Sequence, residues 1–213
     1  MSGDQIQEIF PYRAAWQEPP SGPTVAEPEE APLTGKEPRH LLSEADMDHA
    51  IEQIARRILS DVGEAGDVML LGIRTRGVPL AEWIAAKVKK LSGHPIPVGS
   101  LDINLYRDDL SEVDRQPIVR QTELPIPIEG RGIILVDDVL FTGRTIRAAL
   151  DALVDYGRPR FVRLAVMIDR GFRELPIQAE YVGKTVATTL KENVKVMLKS
   201  IDGANRVVIK EQK

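Results

Sequence analysis

The stretch IILVDDVLFTGRT, residues 133–145, decides how this 213-residue chain folds. Four apolar residues, Ile133 to Val136, run into two adjacent carboxylates, Asp137 and Asp138, and then into a turn carrying Thr142, Gly143 and Thr145. Beyond the turn, Ile146, Ala149, Leu150, Leu153 and Val154 recur at helical spacing until Gly157 and Pro159 stop the run. The segment therefore reads as buried strand, acidic tip, small-residue loop and helix N-terminus. The first N–H groups of a helix have no intrahelical acceptor and the dipole is positive there, so such a turn can hold a phosphate. Gly143 lets the backbone approach closely, and Thr142 and Thr145 add hydroxyl donors. Two carboxylates would repel that phosphate, so they face another part of the ligand: ribose hydroxyls, or Mg²⁺ shared with a diphosphate. A sugar phosphate is the implied ligand. Neither a Walker loop nor a dinucleotide-binding G-x-G-x-x-G occurs anywhere in the chain.

Working outward, the spacing predicts strands alternating with helices. Ser43, with Asp46 three residues on, makes a variant capping box, and Met47, Ile51, Ile54 and Ile58 stripe a helix to about Leu59. Ordered structure is expected to begin there. Val68–Ile73 reads as a buried strand, Pro79 opens a helix running to Leu91, and further strands are expected at residues 97–103, 133–136 and 161–168. Such alternation argues a parallel sheet covered on both faces. Ligands gather at the C-terminal ends of those strands, where residues 74–77 and 137–145 both fall. In the first of these loops Gly77 permits a tight backbone, the amides can bind oxyanions, and Arg76 offers a bidentate fork for a diphosphate.

Composition excludes several classes. No apolar run is long enough to cross a bilayer and no signal peptide is visible, so a cytoplasmic location is expected. Cysteine is absent, which removes disulfides and thiolate chemistry, and three histidines without metal-site clustering argue against structural zinc. The net charge of −4 is uneven. Residues 1–38 hold seven acids against two bases, and the rest of the chain holds 25 acids and 26 bases. Those first 38 residues also contain seven of the fifteen prolines. They read as a largely disordered acidic tail ahead of a folded domain at 39–213, with Phe10, Tyr12 and Trp16 as a short aromatic cluster.

The string at residues 133–145 resembles the phosphoribosyl-diphosphate (PRPP) signature of the type I phosphoribosyltransferases. GIRTRGVPLA (72–81), LDINLYRDDLS (101–111), LDALVDYGRP (150–159) and IDRGFRELPI (168–177) follow the order and spacing of the pyrimidine operon regulator/uracil phosphoribosyltransferase (PyrR) family. The resemblance implies the type I fold: α/β, a central parallel sheet flanked by helices, with a mobile flap hairpin and a small hood. It implies transfer of phosphoribosyl from PRPP to uracil, giving UMP and pyrophosphate. Asp137, Asp138, Val139, Leu140, Phe141, Thr142, Gly143, Arg144 and Thr145 would bind PRPP together with Thr75, Arg76 and Gly77, a pyrophosphate loop in which a non-proline cis peptide is expected at Arg74–Thr75. Arg107 would reach the diphosphate from the flap, and Asp137, Asp138 and Arg107 would carry catalysis. Mg²⁺ would be held mainly through PRPP, with the two aspartates nearby.

By the same resemblance Arg170 and the strand beginning near Val194 would hold the base, together with the Gly183-to-Thr189 loop. Arg56, Arg173 and Lys184 would face the leader RNA of a pyrimidine operon, in a UMP-responsive regulator that assembles as a homodimer or higher oligomer. The chain departs from the family pattern at Phe172, where histidine is usual, at Phe141, where tyrosine is usual, and in the sequence from Gly183 to Thr189, which lacks the usual Asn and Pro. Two alternatives therefore stay open. One is transfer to another base with Phe172 stacking on it. The other is a non-catalytic nucleotide sensor that binds RNA.

Overall fold

The structure is a computed structural model that describes residues 38–62, 67–106 and 121–211, all within one compact unit, Lys36–Lys213. The acidic tail and Arg107 with most of the expected flap lie outside the described residues. Five parallel strands make the main sheet: β2 (Val68–Ile73), β3 (Val98–Leu101), β4 (Gly132–Leu140), β5 (Phe161–Asp169) and β6 (Tyr181–Thr185), in the order β3-β2-β4-β5-β6. Every residue of β2 is buried, as a strand covered on both faces requires. Side chains alternate along it. Val68 and Leu70 enter a layer with α1 (Glu44–Val62) and α2 (Gly77–Ser92), while Met69, Leu71 and Ile73 enter a layer with α3 (Arg144–Val154).

The helix boundaries have identifiable causes. Ser43 and Asp46 cap α1 reciprocally: the Asp46 amide donates to Ser43 Oγ at 3.2 Å and the Ser43 amide donates to Asp46 Oδ2 at 2.9 Å. Helix α3 buries Ile146, Ala149, Ala152 and Leu153, but Leu150 and Val154 stay exposed. The apolar face is thus narrower than the periodicity predicts. The small side chains of Ala148, Ala149 and Ala152, all buried, seat the helix against the sheet and leave the i+4 and i+8 positions on its flank.

A second, antiparallel sheet has the order β1-β8-β7, from β1 (Arg39–Leu42), β8 (Arg206–Glu211) and β7 (Glu192–Met197), with one-turn α4 (Lys199–Asp202) between β7 and β8. This small sheet is the expected hood. Order therefore begins before Ser43, because β1 pairs with a strand from the far end of the domain. Leu42, Val194, Val196, Leu198, Val207 and Ile209 join the same apolar layer as α1 and α2.

Candidate active site

Strand β4 carries the acidic pair to the C-terminal edge of the sheet without a shift in its register to β5, although Asp138 itself is skipped in the pairing. Asp137 is buried and Asp138 partly exposed. Asp137 Oδ1 accepts the Asp138 N–H at 2.9 Å, and Asp138 Oδ1 accepts the Val139 N–H at 2.9 Å, so the main chain orients both carboxyls. Burial pushes the Asp138 carboxyl above its ordinary range, and the positive charge of Arg76 opposes that shift. Residues 139–146 line an open pocket of about 200 Å³. Gly143, the residue before α3, has a φ of 92°, a conformation that favours glycine. Thr142 Oγ1 accepts the Arg144 N–H at 3.4 Å. The Arg144 guanidinium turns away to Glu174, whose Oε2 it reaches at 2.7 Å through Nε.

Thr75, Arg76 and Gly77 lie beside this loop, after β2. The Arg74–Thr75 peptide is cis, as expected. A Cβ on Gly77 would fall 2.1 Å from the Val136 carbonyl oxygen, so only glycine lets the start of α2 lie against β4. Arg76 corrects an expectation. Its bidentate geometry is spent on Asp202, with Nη2 at 3.0 and 3.2 Å from the two carboxylate oxygens, and its Nε donates to the Val196 carbonyl at 2.9 Å. Among the described residues only Nη1 lacks a protein acceptor. One amino group, not the fork, remains for a diphosphate.

Arg170 is buried under the opposite side of the site. Its Nε donates to Thr188 Oγ1 at 3.1 Å, and its Nη2 donates to the carbonyls of Thr189 at 2.9 Å and Glu192 at 2.6 Å. The guanidinium stacks 4.3 Å from the Phe141 ring centroid, and Phe172, itself at a φ of 57°, meets Phe141 edge-on at 6.0 Å. Arg170 Nε and Nη2 are thus committed to the segment that leads into β7. Burial lowers the Arg170 pKa, and Glu192 opposes this.

The Val194 side chain is buried in the core. Its main chain is another matter. The Glu192 and Val196 carbonyls both point away from β8, toward Arg170 and Arg76. Alternate residues of an antiparallel strand present their main-chain groups to the same side, so the Val194 N–H and C=O also line the outer edge of β7. Arg76 follows β2 and Arg170 follows β5, with β4 between those strands. The open edge at Val194 therefore lies across from the acidic tip of β4, and β4 and β7 pack together.

The three basic residues expected to face RNA are not gathered into one patch. Arg56 bonds Glu52 on its own helix at 2.7 Å, on the side of α1 next to Lys87 of α2. Exposed Lys184 lies on β6, which packs on the other flank of α1. Arg173 is an internal clasp. It donates to the carbonyls of Phe141 at 3.0 Å, Gly171 at 3.0 Å and Ile177 at 2.9 Å, and to Asp169 Oδ2 at 2.6 Å. Its planar donors tie the loop after β4 to the segment after β5, so the guanidinium is engaged within the protein.

Two residues of the site carried no sequence signal. Asp202 is one. The side chain of Arg74 is the other, although its peptide to Thr75 is expected to be cis: its Nη2 bridges Ser100 Oγ at 2.8 Å, the Gln121 carbonyl at 3.2 Å and Glu123 Oε1 at 3.2 Å. Among the described residues no three acidic, histidine or cysteine side chains converge to hold a metal by themselves. The oxygen donors of Asp137 and Asp138 suit Mg²⁺ whose remaining ligands come from a diphosphate and water. No helix among the described residues is long and apolar enough to cross a membrane.

A parallel sheet with a phosphate loop, an acidic strand tip and a facing hood defines a class, and the family model that matches residues 41–200 is described as a phosphoribosyl transferase domain. Solved structures agree on the fold. The hypoxanthine phosphoribosyltransferase of Trypanosoma cruzi superposes with a TM-score of 0.62 at 16% identity, over 82% of this chain and 97% of that one. A hypoxanthine-guanine phosphoribosyltransferase from Bacillus anthracis gives 0.59 at 15%, over 80% and 96%. Sequence relatives are more specific. The bifunctional protein PyrR of Chloroflexus aurantiacus is 56% identical over 80% of this chain and 94% of its own length. That of Pelotomaculum thermopropionicum is 51% identical over 83% and 97%. The chain belongs to the PyrR family of phosphoribosyltransferases.

Proposed function

We propose that this protein transfers the 5-phosphoribosyl group of PRPP to uracil, forming UMP and pyrophosphate, and that it responds to UMP when it binds the leader RNA of a pyrimidine operon. The observation that carries the transfer reading is the outward main chain of Val194 across from Asp137 and Asp138. It supplies one N–H and one C=O at the place where a base joined to an acid-bound ribose must lie. Uracil has carbonyl oxygens to accept from such an N–H and an N3–H to donate to such a carbonyl.

The 5-phosphate sits in the turn formed by Thr142 to Thr145, against the first amides of α3. The ribose hydroxyls donate to Asp137 and Asp138. Amides of the Thr75-to-Gly77 loop and Arg76 Nη1 receive the diphosphate, and Mg²⁺ held through it beside Asp137 and Asp138 would neutralise part of its charge. As the C1–O bond to the diphosphate breaks, positive charge develops on the ring, and the two carboxylates stabilise it. Uracil N1 forms the new bond to C1 and its proton is released, so the products balance as UMP, pyrophosphate and H⁺. Positioning and electrostatics supply the rate; no covalent nucleophile is needed.

Pyrophosphate release with PRPP and a panel of bases tests this reading. Uracil is expected to be the preferred acceptor. Preference for a purine would assign the site, with Phe172 at its margin, to another base, and no release with any base would leave a nucleotide sensor. The RNA arm rests on family membership. A gel shift against the leader transcript is expected to show binding strengthened by UMP, and binding indifferent to UMP would remove regulation from the proposal.

A further inference from the structure

We infer that Asp202 is a positioning residue for the transfer reaction proposed above: through Arg76 it locks the diphosphate loop to the base-reading edge of β7. Three donor groups converge on this one carboxylate. Besides Arg76, the Leu198 N–H donates to Oδ2 at 3.1 Å and Lys195 Nζ lies 3.4 Å from Oδ1. The Asp202 side chain is only 10% exposed. Burial alone would raise its pKa, but the Leu198 amide and Arg76 outweigh that and hold the carboxyl below its ordinary range.

The position of Asp202 gives the contact its meaning. It ends the one-turn α4 that follows β7, and both Val196 of β7 and Leu198 between the two elements are anchored in the core. Asp202 and the Val196 carbonyl therefore move with β7, whereas Arg76 moves with the loop after β2. A charge pair that is largely shielded from solvent is costly to break from one side, because the survivor is left without its partner. The pair thus behaves as a bolt between donor site and base site. It also rations the guanidinium. With Nε and Nη2 held, only Nη1 can reach a diphosphate, so an Arg76 released from Asp202 gains donors for pyrophosphate while β7 loses its brace.

That gives a signature a purely structural residue would not produce. Asp202→Asn is expected to raise the KM for uracil about tenfold, the scale of one lost charge-assisted contact. The KM for PRPP should stay within about twofold, and inhibition by pyrophosphate should be unchanged or tighter. In a double-mutant cycle, Asp202→Asn added to Arg76→Lys is expected to cost little beyond Arg76→Lys alone. Equal rises in both KM values, unmoved kinetics, or additive effects would overturn the inference. Thermal unfolding of each variant separates lost turnover from lost fold. If Asp202→Asn does not fold, Asp202→Glu, which keeps the charge on a longer stem, is expected to shift uracil KM in the same direction, and an unshifted value overturns the proposal. Wild-type protein is assayed alongside: no uracil turnover there removes the transfer reading and this inference with it, whereas wild-type turnover with unmoved variants removes this inference alone.

Discussion

At the tip of β4, the Asp138 carboxyl binds a proton more readily in the folded chain than in the unfolded one, because burial outweighs the opposing charge of Arg76. The sign of the linkage follows. A carboxyl whose folded pKa is raised destabilises the protein as pH rises from the ordinary carboxylate value through the raised one, and the full cost is present above both. Asp138→Asn is therefore expected to raise the Tm of the ligand-free protein at pH 7 by a few degrees, roughly 2–4 °C per kcal/mol for a chain of this size. UMP formation should fall by about 100-fold or more, since the amide bears no charge. Differential scanning fluorimetry and a pyrophosphate assay check both halves; a lower Tm would show that the ionised form is stabilised in the resting site. In wild type, kcat/KM for PRPP should decline toward acid with an apparent pKa above the usual carboxylate value. Arg173 makes a contrasting case. Arg173→Met strips donors from three carbonyls and Asp169, and is expected to cost about 2–4 kcal/mol in urea unfolding. A stable variant with lost RNA affinity would return Arg173 to the surface role expected from its charge.

Among the elements, the two glycines of the site fail differently. Gly77→Ala drives a methyl group into the Val136 carbonyl, a main-chain atom that cannot swing aside, and is expected to destabilise by about 3 kcal/mol or more. Gly143→Ala meets only the side chains of Ile177 and Leu175, at 3.3 and 3.4 Å, so its penalty is mainly the left-handed backbone, about 1–2 kcal/mol. Urea unfolding should rank them in that order, while calorimetry with PRPP should show Gly143→Ala weakened beyond its stability loss. A reversed ranking would mean that α2 shifts freely on β4. The β4-to-α3 unit was legible because its whole grammar is local: an apolar run, two acids, a glycine turn and a helical stripe. Strand β1 was not. Its residues Arg39 to Leu42 have no alternation, and only pairing with β8, some 170 residues away, makes them a strand. The engagement of Arg76 with Asp202 and the inward turn of Arg173 were hidden for the same reason. Residue type announces a donor fork, but the fold chooses its acceptors.

On the scale of the whole molecule, the apolar layer under α1 and α2 is shared by both sheets. Val194, Val196, Val207 and Ile209 are buried in it alongside Val68, Ile134 and Ala165, so the small sheet has no separate core to melt around. Heating is expected to give one cooperative transition, with calorimetric and van't Hoff enthalpies in agreement. Two transitions would mean that the small sheet detaches first. The base-reading edge would then be an adjustable part, and the Arg76 and Arg170 contacts would be the means of setting it.

The pairing of β1 with β8 has a practical corollary. Arg39 lies opposite Ile209 on the outermost strand of the small sheet, two strands or about 10 Å from β7, whereas Glu211 at the end of β8 pairs directly with Glu192 of β7. A fluorophore, affinity handle or surface tether is therefore better fixed at Arg39, a full strand farther from β7 than one fixed at Glu211.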